Sequence, residues 1–445
     1  MTHRATVQLA GKQPSNAGLL LVPGKNLRHG TRDLQAAFPD LTSLEEDLLL
    51  LAAAIYGCDL AFKRGARENI TRSINLTVPV TNNQAFARLH HDLEHLLYVL
   101  SHDNWTIDFT RRIGPPEPAR TWPDKSGTTL LFSGGLDSLA GAVELLDRHG
   151  PAHLQLASHV TGNHLTRNTQ ETLVEYLQAK YGASLRRVAV RTGGVTHKDF
   201  PFPTDHDREE TQRTRSFMFL TIAALAARRS GHHEVVMIAE NGQMAIHLPL
   251  SAARIGAFST HTAHPEFVHN AQAYFSTLLD HQFKIVNPYV YQTKAEVVST
   301  LAKDHAEVIS QSVSCWRGSR VATSNHCGEC IPCLVRRIAL EVNGVRLQEY
   351  ARDLLAEDIS SLATDDEGKR NLVELIEFAT AFDTFTGAAL DVNYPDLFSS
   401  YFDKDAVTAM YRRFANEALT ALTRYPGIRP LLPPAPVTKK RKPTT

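Results

Sequence analysis

The 445-residue sequence has no charge of either sign to spare: 47 lysines and arginines stand against 47 aspartates and glutamates. Overall charge therefore gives no argument for a nucleic-acid or membrane-surface partner, although a local basic groove is compatible with it. Long apolar runs are missing too. The best candidate, Leu48–Ile55, falls well short of the roughly 18 residues that span a bilayer. The opening residues, MTHRATVQLAGKQ, contain no apolar core with a cleavage site, so a cytoplasmic protein is expected. No internal repeat is visible. Cysteine is scarce, five in all, yet four fall between Cys315 and Cys333. In a reducing compartment such a cluster reads as a metal site rather than a set of disulfides.

What is present is an ordinary globular composition, 43% apolar and 21% charged, on a chain long enough for two or three domains. Residues 1–120 read as an α+β accessory domain. Within it Leu41–Phe62 opens on Thr42 or Ser43 as N-cap with Glu45 and Glu46 in the first turn, a helix signature. Ser73–Val80 and Trp105–Thr110 alternate as strands, and Phe86–Leu100 reads as a helix. The run Gly114–Pro118 is a stiff linker. Beyond it, residues 121–345 alternate strands (Thr128–Phe132, His153–Val160, Arg187–Arg191, Glu234–Ala239) with helices (Asn168–Tyr181, Thr214–Ser230). That rhythm predicts an α/β fold with a doubly wound, mostly parallel sheet. Residues 346–425 read as a helical extension, clearest over Asp358–Ala381, and residues 426–445, proline-rich and ending in a KKRK run, as a disordered tail.

Between the first of these strands and its helix lies Ser133-Gly134-Gly135-Leu136-Asp137-Ser138. Two glycines allow a sharp turn that brings several N–H groups to an anion, and the following helix adds its positive end. Ser133 and Ser138 can donate hydroxyl hydrogen bonds, and Asp137 is a candidate magnesium-side carboxylate. The spacing is neither a Walker A loop nor a G-x-G-x-x-G fingerprint. No G-x-S-x-G elbow surrounds Ser133, which argues against a serine nucleophile. An ordinary glycine turn is the bland alternative; five specified residues in a strand–loop–helix context favour phosphate binding.

Cys315, Cys327, Cys330 and Cys333 carry two interlocked C-x-x-C steps plus one upstream thiolate, enough for a closed tetrahedral Cys₄ zinc site of structural role. A redox C-x-x-C pair and an iron–sulfur cluster are the competing readings. His326 adjoins the cluster as a spare ligand, and Cys58 stands alone as a small buried hydrophobe.

The SGG-x-DS loop resembles the pyrophosphate loop of the N-type ATP pyrophosphatases, which have the adenine nucleotide α-hydrolase-like fold and cleave ATP between its α and β phosphates. Loop and cysteines together resemble QueC, the 7-cyano-7-deazaguanine synthase family, over about Lys125 to Val345. Gly162-Asn163-His164, Arg215–Leu220, Pro265-Glu266-Phe267, Asn287-Pro288 with Lys294, and Arg336 resemble further family segments. The family's Tyr-Pro-Asp-Cys-Arg substrate loop is absent; Ser259–His264 stands there instead. With its front and back additions, the chain resembles the long QueC-like proteins of bacterial anti-phage systems, QatC of Qat and the QueC-like component of type IV CBASS.

The resemblance implies a ligase or synthase that uses ATP, Mg²⁺ and Zn²⁺ to adenylate a 7-deazaguanine carboxylate with release of pyrophosphate, AMP then leaving when an amine attacks. The amine is ammonia or a group on a partner protein, which the added domains would hold. It further implies that Ser133, Gly134, Gly135, Leu136, Asp137 and Ser138 hold the nucleotide. Arg215 and Lys294 would neutralise phosphates beside Asp137, and His261 and His264 would shuttle protons at the amine. A housekeeping nitrile synthase of queuosine biosynthesis and a non-catalytic nucleotide sensor are the alternatives. A tRNA-modifying pyrophosphatase would need a basic face, for which the neutral balance gives little support. His91, Glu94 and His95 spell H-x-x-E-H, but with no third ligand a surface or core role is expected.

Overall fold

The computed structural model describes residues 2–9, 18–65, 71–114, 122–160, 162–236, 239–250, 261–317, 324–346 and 350–433. In chain order its strands are β1 (Thr2–Val7), β2 (Leu19–Leu21), β3 (Leu27–His29), β4 (Ser73–Val80), β5 (Asn104–Arg111), β6 (Thr128–Leu131), β7 (Leu154–Val160), β8 (Arg186–Gly194), β9 (Glu234–Val236) and β10 (Lys284–Val286). They form a four-stranded sheet, β2-β1-β4-β5, and a six-stranded sheet, β10-β9-β6-β7-β8-β3. Among the described residues every strand pairing is parallel except β3 with β8. The doubly wound α/β expectation holds. In the large sheet the chain steps outward from β6 to β7 and β8, then returns to lay β9 on the other side of β6. The gap between the carboxyl ends of β6 and β9 is thus the topological switch point, where open α/β sheets bind ligands.

The helix Ser43–Ala61 begins at Thr42, whose side chain accepts from the Glu45 N–H while the Glu45 carboxylate accepts from the Thr42 N–H, a complete capping box. Sixteen of its 19 residues are buried. A helix apolar on all sides must be covered on all sides, and this one packs on β4, β3, β8 and the helix Arg215–Ser230. One continuous apolar cluster accordingly runs from the small sheet into the large one. The two helices are also clamped at both ends. Buried Glu45 reaches Arg228 (3.4 Å) and Arg229 (3.6 Å), and the Arg228 guanidinium stacks 3.9 Å above the Trp122 ring. At the other end Asp59 accepts from the Thr214 N–H (2.7 Å) and hydroxyl (2.9 Å), just ahead of Arg215. Arg72 donates to both Asp59 (2.5 Å) and Asp103 (2.6 Å), and Arg64 holds Asp103 at 2.5 and 2.7 Å.

Beyond the sheets, helices Glu367–Thr384 and Lys404–Leu422 pack on each other and on helix Ile331–Val342 around a second apolar cluster. Two local expectations shift. The helix placed at Phe86–Leu100 is broken at Leu89 into Asn83–Arg88 and His90–Ser101. The one placed at Asp358–Ala381 begins only at Glu367, because Asp366 takes the cap and residues Ile359–Ser361 form a separate 3₁₀ turn. Apart from Gly114, the Gly114–Pro118 linker lies outside the described residues, as do residues 434–445 of the expected tail; Arg429–Leu431 ahead of them form a 3₁₀ turn. No helix among the described residues is long and apolar enough to cross a membrane.

Candidate active site

β6 is buried along its length and delivers Ser133 at the switch point; helix Leu136–His149 leaves from there with Gly135 as N-cap. Gly134 sits at φ +86, a conformation that a side chain would strain. The loop is internally tied: the Ser138 hydroxyl donates to the Gly135 carbonyl (3.0 Å), and the two serine hydroxyls lie 3.2 Å apart. Gln170 donates to the Ser133 carbonyl (3.2 Å), and the Val313 N–H to the Gly134 carbonyl (3.2 Å). Among the described residues no side chain caps the helix start, so its first-turn N–H groups face outward as an anion cradle.

Asp137, in that first turn, accepts from Lys294 Nζ (2.5 Å) through Oδ1 and from Asn241 Nδ2 (2.8 Å) through Oδ2. Both partners of the ion pair are nearly enclosed, with side chains 12% and 10% exposed. Lys294 arrives by a separate capping box: Thr293 N-caps helix Lys294–Ala302 with Glu296, and the Lys294 N–H donates to Gln243 Oε1 (3.0 Å). The C-terminal helix Lys404–Leu422 supports this corner. Glu417 accepts from the Thr293 hydroxyl (2.9 Å), Arg413 holds Glu296 (2.7 Å), and the Tyr411 hydroxyl accepts from the Leu248 N–H (3.2 Å).

The four cysteine sulfurs lie within 4.8 Å of one another. Cys315 and Cys330 are 3.9 Å apart, as are Cys327 and Cys333, the spacing that four thiolates at about 2.3 Å from one zinc ion require. Backbone N–H groups of Arg317 and Cys327 point at the Cys315 sulfur (3.2 and 3.4 Å), and that of Cys330 at the Cys327 sulfur (3.4 Å), which favours thiolate ligands. The donor set fits zinc. His326 is no ligand here: its Nε2 accepts from the Ser314 N–H (3.3 Å). Gly328, at φ +87, makes the knuckle; a Cβ there would stand 1.9 Å from the Arg352 carbonyl oxygen. Helix Ile331–Val342 then carries fully buried Arg336 inward, where it donates to Ser312 (2.9 Å), Ser314 (3.1 Å) and the Ile309 carbonyl (2.8 Å). The segment so fixed includes Val313, which touches the phosphate loop. The cysteine cluster is thereby coupled to the loop through residues 309–315.

Asp137 and Lys294 therefore meet at the loop. Arg215 lies elsewhere on the same sheet edge, beside His159 at the end of β7. It donates to Gln212 (3.4 Å) and stacks on Phe219 (5.1 Å), and its charge, after burial, helps hold His159 down at about 3. His261 and His264 face the front helices. His261 bonds the Val99 carbonyl (3.1 Å) and packs its ring 5.1 Å from those of His102 and His264. His264 accepts from the Glu266 N–H as N-cap of helix Pro265–Leu279 (3.3 Å). Burial pushes them down to about 3 and about 4, so both are neutral at pH 7. Ser259 and Thr260 lie outside the described residues. His91 and His95 are exposed, with His91 3.7 Å from Glu94; the cysteine cluster is the one metal-competent group found among the described residues. Cys58 is buried and apolar in its surroundings.

Sequence reasoning passed over Glu240 and Asn241. The signal was present: a carboxylate-amide-glycine triplet directly after a β-rich run, in the position where a parallel strand ends at the ligand edge. Asn241 holds Asp137, and burial followed by the Asp137 charge pushes the Glu240 carboxyl up to about 7.

Residues 128–344, from the start of β6 to just beyond the helix of the cysteine knuckle, match the family model described as Queuosine biosynthesis protein QueC. The 7-cyano-7-deazaguanine synthase of Brucella anthropi is 26% identical over 231 residues, 49% of this chain and 90% of that protein. Those of Brucella ovis and Brucella abortus are likewise 26% identical over 232 residues, with the same coverage. The stretch that builds the loop, the Asp137–Lys294 pair and the cysteine cluster is therefore a QueC-family domain, distantly homologous to the 7-cyano-7-deazaguanine synthases.

Proposed function

We propose that this protein uses ATP to adenylate the carboxylate of a 7-deazaguanine, and that an amine then displaces AMP. One observation carries the reading: the buried Lys294–Asp137 pair at the mouth of the SGGLDS cradle, inside the QueC-matching residues. The cradle would hold the pyrophosphate portion of Mg²⁺-bound ATP through Ser133, Gly134, Gly135, Leu136, Asp137 and Ser138. Lys294 would neutralise charge on the departing pyrophosphate, and Arg215, farther along the sheet edge, would face the remaining phosphate or the substrate. Catalysis of this kind is positioning and charge stabilisation rather than covalent chemistry. Zinc on Cys315, Cys327, Cys330 and Cys333 would be structural.

The segment Ser259–His264 departs from the family's substrate loop, and residues 1–120 and 346–425 have no counterpart in the matched span. These two features support a defence-associated relative that conjugates the deazaguanine to a partner protein, in place of a housekeeping nitrile synthase in queuosine biosynthesis. The decisive assay is ATP–pyrophosphate exchange with 7-carboxy-7-deazaguanine, followed by mass spectrometry of co-expressed partners. Exchange with a mass increment on a partner is expected. Free nitrile as the sole product would restore the housekeeping role, and no exchange with any deazaguanine would leave a nucleotide sensor.

A further inference from the structure

Asp137 is the obvious carboxylate of the site, yet both of its oxygens are already engaged, one by Lys294 and the other by Asn241. A second carboxylate stands next to it. Glu240 follows β9 at the switch point, one residue before Asn241, and its backbone is fixed by Asn287, whose Nδ2 donates to the Glu240 carbonyl (2.8 Å). Its Oε2 is shielded from solvent and has no hydrogen-bond partner among the described residues. Leaving a carboxylate oxygen dry and unpaired is costly, and such groups in clefts are candidates for proton transfer.

We propose that Glu240 is the general base of the second half-reaction, taking the proton from the amine that attacks the acyl-adenylate. The inference rests on the adenylation chemistry proposed above. The amine nitrogen's lone pair forms the new C–N bond, the bond from the acyl carbon to the AMP oxygen breaks, and AMP leaves with that electron pair. The proton lost by nitrogen passes to the Glu240 carboxylate and then to solvent. The charged groups facing Glu240 are Asp137, on helix Leu136–His149, and Lys294, at the start of helix Lys294–Ala302. Their opposing effects, under the larger effect of burial, leave it titrating at about 7, the range in which a general base works best.

The test separates the two half-reactions in the full-length protein. Exchange of pyrophosphate into ATP, with 7-carboxy-7-deazaguanine and no amine, reads adenylation alone. Amide formation with added ammonium reads both steps. Glu240→Gln is expected to keep wild-type exchange while amide formation falls about 10²-fold or more, and Glu240→Asp to restore part of it. With the rate expressed per free ammonia, amide formation in the wild type should rise between pH 6 and 8, a rise absent in Glu240→Gln. Unchanged amide formation in Glu240→Gln, or loss of exchange together with it, would overturn the assignment. A wild type silent in exchange would instead defeat the adenylation reading, and the base with it.

Discussion

The Lys294–Asp137 pair can be taken apart one charge at a time. Lys294→Met keeps the aliphatic stem and removes the ammonium. Asp137 then sits at the foot of a nearly closed pocket with Asn241 as its remaining described partner (2.8 Å). Breaking a buried pair by removing one member costs about 3–5 kcal/mol; because Asn241 remains and about a tenth of each side chain is exposed, the low end, about 3 kcal/mol, is expected. Activity should suffer separately. Loss of one preorganised charge at the developing pyrophosphate lowers turnover about 10²–10³-fold. Asp137→Asn added to Lys294→Met removes the second charge, and since a pair replaced on both sides is near neutral, stability should return while exchange does not. Thermal melts and ATP–pyrophosphate exchange on the two single variants and the double variant close the cycle. A double variant as unstable as Lys294→Met would show that charge pairing is not what holds this corner. Wild-type exchange in Lys294→Met would remove Lys294 from the phosphates.

Three other perturbations probe the supports around the site. Cys315→Ser should abolish a stoichiometric zinc detectable by plasma emission and, by freeing the segment whose Val313 N–H holds the Gly134 carbonyl, lower exchange as well as the thermal midpoint; full exchange without metal would uncouple cluster and loop. Gly328→Ala combines a φ of +87 with a Cβ 1.9 Å from the Arg352 carbonyl oxygen, so a loss of about 2–3 kcal/mol is expected, measured by urea unfolding, and a neutral result would refute the knuckle geometry. Burial alone would push Asp103 up, but hydrogen bonds from Arg72 and Arg64 outweigh it and hold its carboxyl below the usual range. Its contribution is therefore present above about pH 4 and lost as pH falls through the folded value, so melts of Asp103→Asn should fall less steeply with acid than those of the wild type.

The parts of the fold legible in the sequence were those whose signals are local. Ser73–Val80 alternates because one face is covered, and the strand has those bounds. Thr42 or Ser43 read as the N-cap of a helix with Glu45 and Glu46 in its first turn; the helix begins there, with Thr42 as the cap and Glu45 closing a capping box. The loop and cysteine spacings were equally local. What escaped was set by tertiary pairing. β1, β2 and β3 are short or carry polar residues, and β3, only three residues, owes its strand state to antiparallel pairing with β8. The break at Leu89 followed from no proline or glycine; the N–H of Leu89 bonds the Phe86 carbonyl, turning a pattern that reads as one helix into two. Glu240 was missed for a related reason. A single glutamate after a strand has no pattern of its own; its meaning comes from Asp137 and Lys294, more than 50 positions away on either side.

The site also explains why residues outside the matched span are built as they are. The pyrophosphate cradle must hold N–H groups in place without help from the ligand, since preorganisation is what makes such groups effective. Each flank of the cradle is braced from a different part of the chain. Asp59, in the front helix, accepts from Thr214 ahead of Arg215. The helix Lys404–Leu422 supports Thr293 and Glu296, which start the helix of Lys294. The cysteine knuckle is pinned to the chain beyond it, with the Arg352 N–H on the Cys327 carbonyl (3.1 Å) and the Arg352 guanidinium on Glu329 (3.0 Å) and Asp366 (3.0 Å). Asp59, Arg352, Arg413 and Glu417, which supply these braces, all lie outside the family-matched residues 128–344. Here the added segments share one apolar cluster with the large sheet or close directly on the Lys294 corner. Trimming the chain to its matched span would remove Leu48–Ile55, expose the apolar residues of β8 and helix Arg215–Ser230 that their helix covers, and strip Glu296 of Arg413. An isolated 128–344 fragment is therefore expected to aggregate or to lose exchange, whereas a set of modules merely tethered together would survive the cut.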